Sequence, residues 1–340
     1  MPYTYPQNRE LQAIAPAKIA RASANRVGLQ IMPIRGVNAA IIQWDQKDNY
    51  FGLQQLRGLD GRPSSVKPVG QKRYSYEPGV YGEFEVITET ELTIRAPFNN
   101  PDVVIPVDDL VTDRQDQLIV RELDRIEYCV WTLLTTGTIS VPLPGGAIGF
   151  QATFPIQTYT AAVPWATVAT AAPIKDYRNL KTMGRGLGVQ FGAGATSYMN
   201  TTTATNMLSN TNAADLAGRR VVAGNTLDTS EAVNRFLTSN GAPGIVEYDE
   251  GYYDDTNTFQ LFVPNNKVVV IGQRAQGQKI GEYVKTFNRV AGGPTSYSFT
   301  VDRVNGRNGE KVVPPNMEVH QGHNGGPVIY YPGSVVVMTV

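Results

Sequence analysis

The only two histidines of the chain, His320 and His323, stand in the segment MEVHQGHNGG. An H-x-x-H pair can bring two imidazoles to one metal ion, but no cysteine pair or acid at a matching spacing completes a ligand set. Their glycine-rich surroundings read as a turn carrying surface histidines. The acidic run EYDEGYYDD (247–255) has the carboxylates of a calcium loop without its spacing, and reads as a solvated loop. The run GRGLGVQFGAG (184–194) fails as a dinucleotide fingerprint: Phe191 stands where a third glycine is needed, and the segment follows a helical pattern rather than a strand. Cys129 is the sole cysteine, and its position beside Val130, far in sequence from both histidines, reads as a buried, inert thiol. Glu89 and Glu91 could form the carboxylate pair of a glycoside-cleaving enzyme, but such acids occur on any exposed strand. These residue types therefore supply no catalytic, cofactor-binding or metal-binding set.

The bulk composition points the same way. The 340 residues carry 30 basic and 30 acidic side chains, a net charge of zero. That balance argues against general coating of nucleic acid and gives little colloidal repulsion, which suits self-association. A single cysteine excludes an intrachain disulfide. The N-terminus lacks the continuous apolar region of a secretory signal, and no run approaches 18 apolar residues, so neither export nor a membrane span is expected.

The elements are mostly short. Residues 1–30 read as an N-terminal arm broken by Pro2, Pro6 and Pro16, its order left open. RVGLQIMPI and AAIIQW have strand composition. Residues 45–85 carry glycine and proline at short intervals and read as a long hairpin-like excursion. YGEFEVITETELTIRA alternates Phe84 and Val86 with Glu83 and Glu85, then Leu92 and Ile94 with Glu91 and Thr93, as a half-buried strand does. Against this background residues 107–136 stand out, because they contain no proline and no glycine. Ile119, Leu123, Ile126, Val130 and Leu133 recur at spacings of four and three, forming one apolar stripe. Asp108 and Asp109 suit the N-terminal end of a helix dipole, and Gly137 suits its stop. Such a rod is about 45 Å long at 1.5 Å per residue. A second helix is expected in PIKDYRNLKTMGRG, with Pro173 in its first turn, and a third in SEAVNRFLTS. Strands TFQLFV and NKVVVIG and two or three C-terminal strands complete an α+β chain.

Three segments resemble one family. LLTTGTI (133–139) resembles the end of its long helix before the next strand. PWATVATAAPIKDYRN (164–179) resembles its Trp, spacer and Pro-x-x-Asp helix start, here Trp165, Pro173 and Asp176. FVPNNKVVVIGQRAQGQKIGEYV (262–284) resembles its strand of Pro, two residues, Lys and an apolar run. The order and spacing are similar to the major capsid proteins of tailed phages, more narrowly to the lambda-type major capsid protein E family, from about residue 25 to 340. The resemblance implies the Hong Kong 97-type capsid fold: an arm over 1–30, and over 31–140 part of the peripheral P domain with an extended E-loop (about 45–85) and a spine helix (about 107–136). A transition would span 141–190, an axial A domain 191–290 and the return strands of the P domain 291–340. It further implies a self-assembling, non-enzymatic protein without cofactors, forming hexamers and pentamers in an icosahedral head around double-stranded DNA held without sequence specificity. Scaffold, portal and decoration proteins are its implied partners, no membrane is involved, and its place is the virion, assembled in the host cytoplasm.

The charge distribution fits a tile. Residues 1–76 hold 11 basic and 4 acidic side chains, residues 77–128 hold 4 and 13. Arg57, Arg62, Lys67, Lys72 and Arg73 of one copy are therefore expected to meet Glu83, Glu85, Glu89 and Glu91 of the next; the alternative is that the opposite charges neutralise each other within one subunit. Other readings of the chain are a tail tube, which would lack the long helix, a nanocompartment shell of the same fold, and last a β-rich hydrolase.

Overall fold

The computed structural model describes residues 8–47, 52–66, 68, 70–94, 106–142, 148–210, 230–254, 256–274, 278–302 and 316–340. In chain order, helices α1 (Asn8–Ser23) and α2 (Val27–Ile31) precede strands β1 (Ile34–Val37), β2 (Ile42–Lys47), β3 (Gln71–Tyr76) and β4 (Gly79–Ile87). Helices α3 (Glu89–Ile94) and α4 (Val107–Thr136) follow, then β5 (Thr138–Pro142), β6 (Ile148–Thr153), β7 (Gln157–Thr160) and α5 (Pro173–Met183). Next come β8 (Val189–Gln190), β9 (Thr196–Met199), α6 (Thr201–Leu208), α7 (Ser230–Ser239), β10 (Gly244–Glu247), β11 (Gly251–Tyr253) and β12 (Phe259–Leu261). The last strands are β13 (Lys267–Ile271), β14 (Gln273–Arg274), β15 (Gly281–Thr286), β16 (Tyr297–Asp302), β17 (Met317–Ile329) and β18 (Val335–Thr339).

Two five-stranded sheets organise these elements. In the first, the 13-residue β17 pairs antiparallel with β15, β16 and β4, and β1 runs parallel to β15. The second has the order β10-β9-β13-β18-β7 and carries α5. Each sheet ends on a strand whose outward backbone is covered by a side-chain amide. Gln12 of α1 donates to Ser296 O (2.7 Å) and accepts from Ser298 N–H (2.8 Å) at the β16 edge. Asn234 of α7 does the same for both backbone groups of Ile245 on β10. An amide is a one-residue mimic of a neighbouring strand, so both edges are closed to further pairing at these points.

Helix α4 is the longest element, at 30 residues. Its buried stripe of Ile119, Leu123, Ile126, Val130 and Leu133 packs with Tyr283, Val284, Val328 and Ile329 of the first sheet. Its N-terminal half closes over Leu11, Ile87, Met317 and Val319. Gly137 ends it in the left-handed region (φ 70°), its N–H donating to Leu133 O at 2.8 Å; a side chain there would also strike Phe154 O.

Four local expectations change. The stretch 8–23 is helical through Pro16, because Leu11, Ala15 and Ile19, spaced by four, bury one face and offset the cost of the proline, about 3 kcal/mol in a free helix. Val27–Ile31 is a helical turn rather than a strand, since the Glu127 carboxylate of α4 accepts the Gly28 N–H at 2.6 Å. Glu89 and Glu91 lie on α3, not on a strand. Thr88 and Glu91 satisfy each other's backbone N–H groups, a capping box that the period-two pattern masked. His320 and His323 lie within β17, not in a turn. Its glycines do not interrupt the strand but let neighbours close on it: a Cβ at Gly326 would strike the Tyr76 hydroxyl.

Candidate functional site: an assembly interface

The histidines point to opposite faces, as an odd spacing on a strand requires. His320 lies between the rings of Phe299 (4.7 Å) and Phe84 (5.1 Å), and 3.0 Å from Glu318. His323 is fully buried on the helix side, its Nε2 2.9 Å from the Tyr283 hydroxyl. No group of three or more histidine, cysteine or acidic residues among the described residues could hold a metal ion. Cys129 lies half-buried on α4, and burial raises its thiol pKa.

The polar groups beneath α4 pair largely with one another instead. Oε1 of Glu122 accepts from Lys285 Nζ (2.7 Å) and Ser296 Oγ (2.5 Å), and Oε2 accepts from Gln321 (2.7 Å). His323 Nδ1 stands 3.4 Å from Oε1. Burial alone would raise the Glu122 carboxyl, but the Lys285 ammonium, His323 and these hydrogen bonds hold it at about 2. Burial, with Lys285 and Arg125 nearby, lowers the His323 imidazole to about 4 despite Glu122. One turn on, Glu127 Oε1 accepts from Gly28 N–H, Trp131 Nε1 (2.9 Å) and the Tyr248 hydroxyl (2.7 Å). These two glutamates tie α4 to the first sheet, to α2 and to the segment after β10. Neither is singled out by the sequence reading; spacing relative to the apolar stripe is the signal, since both lie beside Ile126.

Around α4 the opposite charges largely meet within one subunit. Arg114 pairs with Glu85 and Glu91, both at 2.7 Å, and Arg121 holds Glu83 through two hydrogen bonds of 2.5 and 3.0 Å. Arg73 pairs with Asp45 across the β2–β3 stem at 2.8 and 3.2 Å. Arg57 donates to Gly61 O, and Arg62, Lys72 and Glu89 are exposed; Lys67 lies outside the described residues. The structure thus brings the four glutamates together along β4 and α3.

The basic loop is the region the chain leaves incomplete. The β2–β3 stem is anchored where Trp44 Nε1 donates to Ile329 O (3.0 Å) and the Tyr76 hydroxyl to Pro327 O (2.8 Å), with Trp44 stacked on Tyr74. Beyond it the described residues of 52–70 form no helix or strand. Leu53, Leu56 and Leu59 are 98%, 101% and 98% exposed. Burying a leucine is worth about 1.5–3 kcal/mol, so three of them on one strap mark a surface made to be covered. Sequence reading fixed on the arginines of this loop and passed over the leucines, although a spacing of three in a polar, Gly/Pro-rich stretch was visible.

The motif around Trp165 also acquires a physical meaning. Pro173 opens α5, and Asp176 in its first turn accepts from Trp165 Nε1 (3.0 Å) and the Tyr159 hydroxyl (2.8 Å), pinning α5 to the second sheet.

A long helix buried on one sheet, a second sheet with its own core and a projecting hairpin loop define a shell protein of the Hong Kong 97-type capsid fold. Three solved structures share it. They are the candidate capsid protein of a prophage of E. coli CFT073 (TM-score 0.62, 14% identity, 97% of this chain and 98% of that one), a phage-related protein of Bordetella bronchiseptica RB50 (0.52, 10%, 95% and 95%), and the capsid of a native GTA particle (0.52, 10%, 92% and 89%). The chain belongs to the phage major capsid protein E family, whose model matches residues 24–288. No curated protein matches it in sequence.

Proposed function

We propose that this chain is the repeating tile of a tailed-phage head, its copies assembling as hexamers and pentamers into an icosahedral shell around double-stranded DNA. The role is structural and not catalytic. On this reading α4 is the spine helix of a P domain, the excursion at about 45–85 is the E-loop that laps a neighbouring subunit, and residues 191–290 form the axial A domain. Residues 291–340 return to the P domain. Scaffold, portal and decoration proteins are the further partners, and assembly takes place in the host cytoplasm before the protein resides in the virion. Among the described residues no helix is long and apolar enough to cross a membrane.

One observation carries the reading: a chain of a capsid family presents three fully exposed leucines on a loop whose stem is anchored. A monomer gains nothing from such a strap, whereas a shell repeats its contact at every subunit, so small gains per contact accumulate. The test is expression of the full chain and negative-stain microscopy. Closed particles of uniform diameter are expected. Protein that stays monomeric across concentration and salt, with its loop intact, overturns the reading. Nuclease-protected double-stranded DNA in particles recovered from infected cells separates a phage head from a cargo compartment.

A further inference from the structure

Helix α5 lies on the second sheet with one face buried and the other bare. Ile174, Tyr177 and Leu180 pack into the core of that sheet. The bare face carries Lys175, Arg178 and Lys181, and Arg185 follows in the turn after Gly184; all four are exposed. Spacings of three, three and four set them on one side of the helix, over about 15 Å at 1.5 Å per residue. The helix holds a single acid, Asp176, which is buried and accepts from Trp165 and Tyr159. None of the four cations has a carboxylate partner among the described residues. This arrangement works against the helix. Like charges three and four residues apart repel, and Lys175 stands in the first turn, where the helix dipole disfavours a cation. Around α4 the same chain neutralises its arginines with glutamates. A row of cations kept bare against local preference marks a binding face.

We propose that the exposed face of α5 is a contact for the phosphate backbone of double-stranded DNA. The proposal rests on the shell reading and names the surface that meets the enclosed duplex. A chain of zero net charge does not coat nucleic acid from every side, but one uncompensated face can meet it from one. Over about 15 Å a duplex presents roughly nine phosphate charges, so the four side chains find partners at any position along it. Lysine and arginine on phosphates position the duplex without reading bases, so the contact carries no sequence preference. An acidic segment of a second copy is the weaker occupant, because Glu83, Glu85 and Glu91 are already held by Arg121 and Arg114 of their own subunit.

The test titrates a fluorescein-labelled duplex of about 30 base pairs with unassembled full-length subunits between about 50 and 200 mM salt. For the wild-type chain the logarithm of the binding constant should fall against the logarithm of salt with a slope of about −3.6, roughly 0.9 for each of four phosphates. A duplex of unrelated sequence should bind equally. Lys175→Gln, Arg178→Gln, Lys181→Gln and Arg185→Gln together should remove most of that slope, and Lys175→Gln with Arg178→Gln about half of it. The melting temperature of the fourfold variant should hold or rise as like charges are removed, and its particles should still form. If the fourfold variant fails to fold, the double variant decides. An unchanged slope overturns the inference; if particle formation is lost as well, α5 is a contact between copies. Absence of particles from the wild-type chain overturns the shell reading, whereas the slope alone decides the role of α5.

Discussion

The underside of α4 and the loop at 52–70 are opposites. Beneath the helix, Glu122 uses both carboxylate oxygens on three buried donors, and the apolar stripe around it is closed. On the loop, three leucines have no neighbour at all. Burial of an unpaired charge costs several kcal/mol, so the first region must be complete in every folded subunit. An exposed leucine costs a folded chain little, so the second can wait for a partner. Stability belongs to one region and association to the other, and substitutions should separate them.

Ile126→Asp should have the largest effect on the subunit, since it puts a charge into the fully buried stripe. A loss on the order of 5 kcal/mol or insoluble protein is expected, read by urea unfolding. Soluble protein with a wild-type midpoint would show that the stripe is not core.

Lys285→Met follows. It strands the Glu122 carboxylate and should cost roughly 3–5 kcal/mol, while the double change with Glu122→Gln should recover part of that. A double variant as unstable as the sum of the singles would deny the pairing.

Acid should act through the same cluster. Both groups have depressed folded pKa values, so the unfolded chain binds protons first and stability falls as pH falls. His323 contributes from pH 6.5 down to about 4, and Glu122 from about 4.5 down to about 2. Each shift is worth on the order of 3 kcal/mol. Unfolding midpoints measured from pH 7 to pH 4 should drop, and His323→Gln should flatten that interval. An equal slope in the variant would assign the acid sensitivity to other groups.

Arg121→Ala probes the exposed side of the same helix. Its pair with Glu83 is half in water, and its loss should change unfolding by at most about 1 kcal/mol, less in 1 M salt. Smallest of all on the subunit is Leu53→Ser with Leu56→Ser and Leu59→Ser, where a change under about 0.5 kcal/mol is expected although particle formation is lost. If this triple variant unfolds as readily as Lys285→Met, the loop is part of the fold and the contrast between the regions fails.

Much of the frame was legible in the residues. The long helix follows from a proline- and glycine-free run with one apolar stripe, and α5 follows from Pro173 and Asp176. These signals are local, because helix periodicity and capping are decided within a few turns. Errors arose where a distant group overrode local pattern. Val27–Ile31 is helical with a carboxylate from Glu127 at its first turn, and the glycines around His323 belong to a central strand because neighbouring backbone and tyrosines close on them. The Thr88–Glu91 capping box was a local signal too, hidden by the alternation that precedes it.

The sequence by itself determined the α+β class, the long helix and its buried stripe, and the separation of a basic from an acidic segment. Only the tertiary structure decided what the charges do. Arginines 114 and 121 of α4 satisfy the acidic strand because helix and strand pack side by side, a proximity no spacing in the chain encodes. Glu122 and Glu127 became structural anchors because folding carries Lys285, His323 and Tyr248, more than a hundred residues away, onto the same helix face. The loop leucines, equally visible in the chain, are an unfilled contact only because folding leaves them without a partner in their own subunit.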